Sequence, residues 1–231
     1  MRAVIFAMAL AGAAGAQAPA PQAQPPGASP AAAPAPVSPS VPAQVPGAAA
    51  PPAAPVVQMA PAQLLAQLRA GGLVVYFRHT ATDFSRDDSK MRDFDDCANQ
   101  RPLTPKGRAD ARAIGAEWKR LKIPVGRVLA SPYCRTRDVA QQMFGRYERT
   151  PEARGGPVSP DSERYAGLKA LFSTPVADKT NLVISSHGNP YYAINGPSYL
   201  VEGEAAVIRP KGDGLWEVLA RLRSDDWAKL R

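Results

Sequence analysis

The chain predicts an α/β fold, a three-layer sandwich with a mainly parallel sheet and helices on both faces. Three observations predict it. Short apolar runs at residues 73–77, 128–130 and 181–185 alternate with segments of helical periodicity. The first run is apolar throughout rather than alternating, as expected of a strand covered on both faces. The third observation concerns the residues just past the runs. The chain has only two histidines, His79 and His187, and each sits beyond the end of one run, while Arg135 comes after the other. In parallel sheets ligands bind beyond the carboxyl ends of the strands, so these three residues are expected along one edge.

Residues 1–16 read as a signal peptide. Arg2 supplies a basic start, Ile5, Phe6 and Leu10 an apolar stretch, and Ala14-Gly15-Ala16 a small-residue cleavage site. Arg2 is the only charge before Arg69, and the apolar stretch is too short to span a bilayer. A periplasmic or secreted protein with no transmembrane segment after cleavage is expected. Residues 17–55 hold 13 of the 25 prolines among Ala, Gln, Gly and Ser. Proline blocks ladders, and alanine and glycine offer little to bury, so this stretch reads as a disordered tether. Largely extended, it would reach on the order of 100 Å. The folded domain is expected over residues 56–231.

Within it, residues 61–70 form a helix candidate with Leu64, Leu65 and Leu68 on one face and Gly71-Gly72 as its stop. Residues 81–101 are polar and charged and read as a long loop over the site. Thr104-Pro105 is a helix start, with Ala111, Ile114, Trp118 and Leu121 at helical spacing behind it. A helix follows over residues 135–144. Another is expected from Ser159-Pro160 with Tyr165, Leu168 and Leu171 on its face, and a short one after Gly188. Residues 205–208 and 215–220 read as a closing strand pair around Gly212-Asp213-Gly214.

With 28 Lys and Arg against 20 Asp and Glu, the formal charge is +8. The basic residues form no block and no helix interleaved with aromatics, so nucleic acid is not the expected partner. A diffuse positive field steering a small phosphorylated substrate fits better. The two cysteines, Cys97 and Cys134, permit one disulfide in an exported chain, the alternative being two buried thiols. The sequence leaves the oligomeric state open.

The residues at the strand ends suit phosphoryl transfer, which needs positioning and charge stabilisation more than covalent machinery. Neutral imidazole can attack phosphorus and form a phosphohistidine. Arginine offers a planar fork matched to phosphate oxygens, and Arg135 stands at a predicted helix start, where backbone N–H groups favour an anion. A serine-hydrolase reading of Ser186-His187 fails for want of a Gly-x-Ser-x-Gly elbow.

Phe77-Arg78-His79-Thr80, Ser131-Pro132-Tyr133-Cys134-Arg135-Thr136 and Ser186-His187-Gly188, taken in order, resemble the histidine phosphatase superfamily, also called phosphoglycerate-mutase-like. The compact layout is similar to its small bacterial branch of phosphohistidine and lipopolysaccharide core heptose phosphatases. The likeness spans about residues 73–210. It implies that His79 is the nucleophile and that Arg78, Arg135 and His187 bind the phosphoryl group, with no metal and no cofactor. Thr80 stands where Gly or Ala is common, and its hydroxyl is a candidate phosphate contact. Larger branches take their acid from a Glu-Arg-His-Tyr-Gly-like segment. Ser162-Glu163-Arg164-Tyr165 resembles it only superficially, and Glu163 reads as surface charge. Glu204, in Glu202-Gly203-Glu204, is the first candidate for the proton donor and Asp83 the second. Arg101 borders the expected pocket, facing either substrate anions or a neighbouring carboxylate.

The expected function is an exported phosphatase acting on phosphomonoesters, with sugar phosphates or phosphohistidine as substrate classes. Two other classes compete. A non-catalytic phospholigand-binding module of the cell envelope would bind phosphate without turnover. An envelope-tethering protein would lose its function, and a phosphatase would not, on removal of residues 17–55.

Overall fold

A computed structural model describes residues 59–154, 164–177 and 179–231. The expected signal peptide, the tether, the first residues of the domain, the helix start at Ser159-Pro160 and Glu163 lie outside the described residues.

The described chain runs α1 (Pro61–Ala70), β1 (Val74–Arg78), α2 (Pro105–Arg120), β2 (Val125–Ala130), α3 (Cys134–Phe144), β3 (Glu148–Arg149), α4 (Ala166–Ser173), β4 (Asn181–Ser186), α5 (Gly188–Asn195), β5 (Ala205–Gly212) and β6 (Leu215–Leu222). The strands form one six-stranded sheet in the order β3-β2-β4-β1-β5-β6. β1, β2, β3 and β4 pair in parallel, while β5 and β6 add an antiparallel edge. The closing pair turns through Asp213, as its flanking glycines predict, but both strands run longer than expected.

Helices cover both faces. β1 shows why: Val75 and Phe77 point into one core and Val74 and Tyr76 into the other, all at most 1% exposed. The first core takes Leu64, Leu65 and Leu68 of α1, Ile114 and Trp118 of α2, and Val139 and Met143 of α3. The second takes Leu168 and Phe172 of α4 and Tyr191 of α5. A strand sealed on both sides must be apolar at every position, which is the run the sequence shows. α2 starts as expected, with the Thr104 hydroxyl accepting from the Gly107 N–H.

Strand register sets up the site. β1 and β4 pair Arg78 with Ser186, and the His79 N–H continues the ladder to the Ser186 carbonyl. β2 pairs Ala130 with Ser185, and the Ser131 N–H bonds the Ser185 carbonyl. Three strands therefore stop at one level, and His79, Ser131 and His187 all lie at that line.

The polar stretch at 81–101 folds as turns and one 3-10 turn, Cys97–Asn99. Cys97 and Cys134 are joined in a disulfide, which ties this loop to the first residue of α3. The two-residue strand β3 has no counterpart among the sequence expectations, because two residues carry no periodicity.

Candidate active site

At the carboxyl edge of the parallel strands lies an open cavity of about 260 Å³. Arg78, His79, Arg101, Tyr133, Arg135 and His187 form part of its wall, and Arg154, Arg164 and Tyr165 another. A larger groove of about 510 Å³ opens at the opposite end of the sheet, but its lining is mostly apolar, with Leu171, Val176 and Leu182. The chemistry singles out the smaller cavity.

His79 is 2% exposed, and its Nδ1 lies 3.0 Å from the Thr80 carbonyl oxygen. A carbonyl only accepts, so the neutral ring carries its proton on Nδ1 and keeps a lone pair on Nε2. Glu202 Oε1 stands 3.7 Å from the same Nδ1 and accepts from the Thr82 hydroxyl, while Oε2 accepts from the Thr82 N–H. Burial, and then the positive charge of Arg135, hold the proton affinity of His79 well below the usual imidazole range. Burial and Arg135 do the same to His187. Both rings are therefore neutral near pH 7 in the free protein.

His187 caps α5, with its ring centroid 5.6 Å from that of His79. The Ser131 hydroxyl lies 2.7 Å from its Nε2, and the Tyr76 hydroxyl donates to its carbonyl over 2.7 Å. Gly188 comes next because the space is taken: a Cβ there would meet the Tyr199 ring at 2.8 Å and crowd Arg78 Nη1 at 3.3 Å.

Arg78 donates from Nη1 to the Leu200 carbonyl over 2.8 Å, and its Nη2 lies 3.9 Å from Glu202. Arg135, in the first turn of α3, is 6% exposed, pairs with Asp88 at 3.0 Å and stacks on the Tyr133 ring at 4.3 Å. Burial lowers the proton affinity of both guanidinium groups from the usual arginine value, and Glu202 and Asp88 respectively oppose that effect. The Nε atoms of Arg78, Arg101 and Arg135 are buried without a protein partner.

The structure thus brings His79, His187, Arg78, Arg135 and Arg101 to one cavity. Arg101 stacks on Phe84 at 4.6 Å, and among the described residues no carboxylate pairs with its side chain. Other expected residues lie elsewhere. Glu204 is not brought to the cavity: Arg221 takes both of its carboxylate oxygens at 2.8 and 2.7 Å, and the Val201 N–H adds a third bond. The expected proton donor instead pins the β5–β6 hairpin. Asp83 binds the Ser85 hydroxyl and N–H and does not line the cavity. The Thr80 hydroxyl is buried without a partner and outside the cavity lining; the Thr80 backbone carbonyl is what orients His79.

Sequence reasoning missed Glu202, two residues before the glutamate it chose. Gly203, at φ +80°, turns the chain between them and donates its N–H to the His79 carbonyl, which leaves Glu202 on the His79 side. It also missed Asp88 and Arg154, which sit on irregular segments without a pattern to read. Among the described residues no group of three or more His, Cys, Asp or Glu is placed to hold a metal ion.

No family model and no curated protein matches the sequence. Solved structures do resemble it. One is the protein histidine phosphatase SixA complexed with tungstate, at 24% identity and TM-score 0.46, covering 67% of this chain and 98% of that one. A mycobacterial glucosyl-3-phosphoglycerate phosphatase with inorganic phosphate shows 13% identity and TM-score 0.47, covering 67% and 99%. Mycobacterial hydrolase 1 shows 14% identity and TM-score 0.46, covering 65% and 98%.

Proposed function

We propose that this chain is a histidine phosphatase that hydrolyses small phosphomonoesters through a phosphohistidine on His79. The observation that carries this reading is the convergence of a neutral, hydrogen-bond-oriented imidazole with His187 and the side chains of Arg78, Arg101 and Arg135 at one cavity.

The reaction can be built from that geometry. The phosphoryl oxygens take the donors of Arg78, Arg135 and Arg101. The lone pair on His79 Nε2 attacks phosphorus, the N–P bond forms, and the bond to the leaving oxygen breaks with its electron pair. Imidazole gains charge as it bonds, and the Thr80 carbonyl and Glu202 stabilise the Nδ1 proton. The incoming dianion offsets the Arg135 charge that adds to burial in keeping His187 neutral, so His187 gains proton affinity when substrate arrives and stabilises the phosphoryl charge. Water then attacks phosphorus, the N–P bond breaks, inorganic phosphate leaves and neutral His79 returns. Among the described residues no carboxylate lines the cavity, so leaving groups that depart as stable anions react fastest.

Export to the periplasm or outside the cell belongs to the same proposal. Its support is the pattern of residues 1–16 and the Cys97–Cys134 bond, which persists in oxidising compartments.

Turnover of an aryl phosphate tests the reading. Wild type is expected to release phosphate, and His79→Ala to lose about three orders of magnitude or more in kcat with phosphate binding retained. Phosphate binding without turnover by wild type across a wide pH range would replace the phosphatase with a phospholigand-binding module.

A further inference from the structure

His187 is held by a buried chain of hydroxyl groups that the reaction above does not use. Ser131 Oγ lies 2.7 Å from His187 Nε2 and 2.8 Å from Thr136 Oγ1. Thr136 Oγ1 in turn lies 2.8 Å from the Tyr133 carbonyl oxygen and 3.0 Å from that of Ser131. Ser131 and Thr136 are fully buried, so each hydroxyl proton goes to one of these partners.

The protons can run along this chain in either direction, and the carbonyls decide which. If Thr136 donated to Ser131, its oxygen would stand at hydrogen-bond distance from two carbonyl oxygens with no proton between them. The Thr136 proton therefore goes to the carbonyls, which only accept. Ser131 then donates to Thr136 Oγ1, and the Ser131 oxygen is left to accept from the ring. Donation runs from His187 Nε2 to Ser131, from Ser131 to Thr136, and from Thr136 to the backbone. The neutral ring of His187 thus carries its proton on Nε2 and its lone pair on Nδ1, the reverse of His79. Among the described residues nothing bonds His187 Nδ1, and the ring lines the cavity.

We propose that Ser131 and Thr136 are positioning residues that lock His187 in this tautomer, so that it meets the phosphoryl group through Nδ1. The proton that His187 gains with substrate enters at Nδ1, from solvent or from a singly protonated phosphate, and is then shared with a phosphoryl oxygen. The Nε2–H bond to Ser131 stays as it was, so no hydroxyl has to turn when the ring becomes charged. Donors and acceptors arranged in advance cost no reorganisation at the moment of reaction. The role toward substrate rests on the phosphatase reading above, whereas the tautomer of the free protein stands apart from it.

Magnetic resonance tests both. With isotope-labelled histidine and no histidine tag, the protein gives the spectra of only two rings. Long-range proton–nitrogen correlation near pH 7, with His79→Gln to tell the rings apart, is expected to show His187 protonated at Nε2 alone and His79 at Nδ1 alone. Saturation with inorganic phosphate should add a second proton to His187, at Nδ1. Thr136→Val takes the acceptor away from Ser131, whose proton then turns to His187 Nε2. That variant should shift His187 toward the Nδ1–H form and lose about tenfold in kcat on an aryl phosphate, with KM within about twofold of wild type. Thr136→Ser should restore both. A free wild-type His187 protonated at Nδ1 would overturn the proposal, and so would a Thr136→Val protein with the wild-type tautomer or the wild-type kcat. The wild-type spectra decide the first point whether or not the variant folds. No proton gained at Nδ1 on phosphate binding would remove the role toward substrate. If wild type turns over no substrate, the phosphatase reading fails, and the spectra of free and phosphate-bound protein still decide the tautomer.

Discussion

The Nδ1 of His79 faces a carbonyl oxygen, and that single contact places the ring proton on Nδ1 and leaves the lone pair on Nε2, the nitrogen the proposed reaction uses. A donor in place of the Thr80 carbonyl would reverse the tautomer and turn the lone pair away from the cavity. The pairing of Arg221 with Glu204 makes an equally specific statement about a residue held outside the cavity lining. Removing one partner of a largely buried ion pair leaves the other uncompensated. Glu204→Gln is therefore expected to cost about 2–3 kcal/mol of stability, read as a lowered denaturant midpoint. Its effect on turnover should be the same for good and poor leaving groups; a selective loss on poor ones would restore Glu204 as an acid. At this scale the sequence was readable where residue type and strand position coincide, as for Arg78, His79, Arg135 and His187. It was not readable where function turns on side-chain direction. Glu202 and Glu204 flank one glycine, and only the positive φ of Gly203 decides which of them approaches His79.

The elements that hold these residues are three parallel strand ends and the first turn of α3. α3 begins at Cys134, whose N–H donates to the Gln100 side chain over 2.8 Å while its sulfur bonds Cys97. Loop and helix are thus joined twice next to Arg135. The bridge closes 37 residues, for which chain entropy alone gives a stabilisation of about 4 kcal/mol. Cys97→Ser with Cys134→Ser should lower Tm by about 10 °C and raise KM more than it lowers kcat, because the loop carrying Asp88 and Arg101 loosens around Arg135. An unchanged KM would mean that the loop is set by its hydrogen bonds alone. The long elements were legible because each shows a sustained period: Leu64, Leu65 and Leu68 in α1, Ile114 and Trp118 in α2, the unbroken apolar run in β1. β3 was not legible, and with it went Arg154, which the chain reaches only after that two-residue strand and a 3-10 turn.

Across the whole domain, charge and burial pull in opposite directions. The cavity concentrates guanidinium groups in a wall that also buries two imidazoles, an arrangement that costs the free state stability. Both histidines have proton affinities lowered on folding. Above pH 6.5, near the unfolded imidazole pKa, they are neutral in both states and cost nothing. Below it the unfolded chain binds protons that the folded chain refuses, so stability falls as pH falls. Tm of the free protein is expected to decline from pH 7 to pH 5, and His79→Gln with His187→Gln should flatten that decline; an identical decline in the double variant would remove the two rings as its cause. The most direct measurement is the chemical trapping of the intermediate. Wild-type protein mixed with an aryl phosphate, quenched in base within milliseconds and digested, should yield one phosphorylated peptide with an acid-labile phosphate on His79. Full turnover with no phosphorylated His79, or with phosphate on another side chain, would contradict the account.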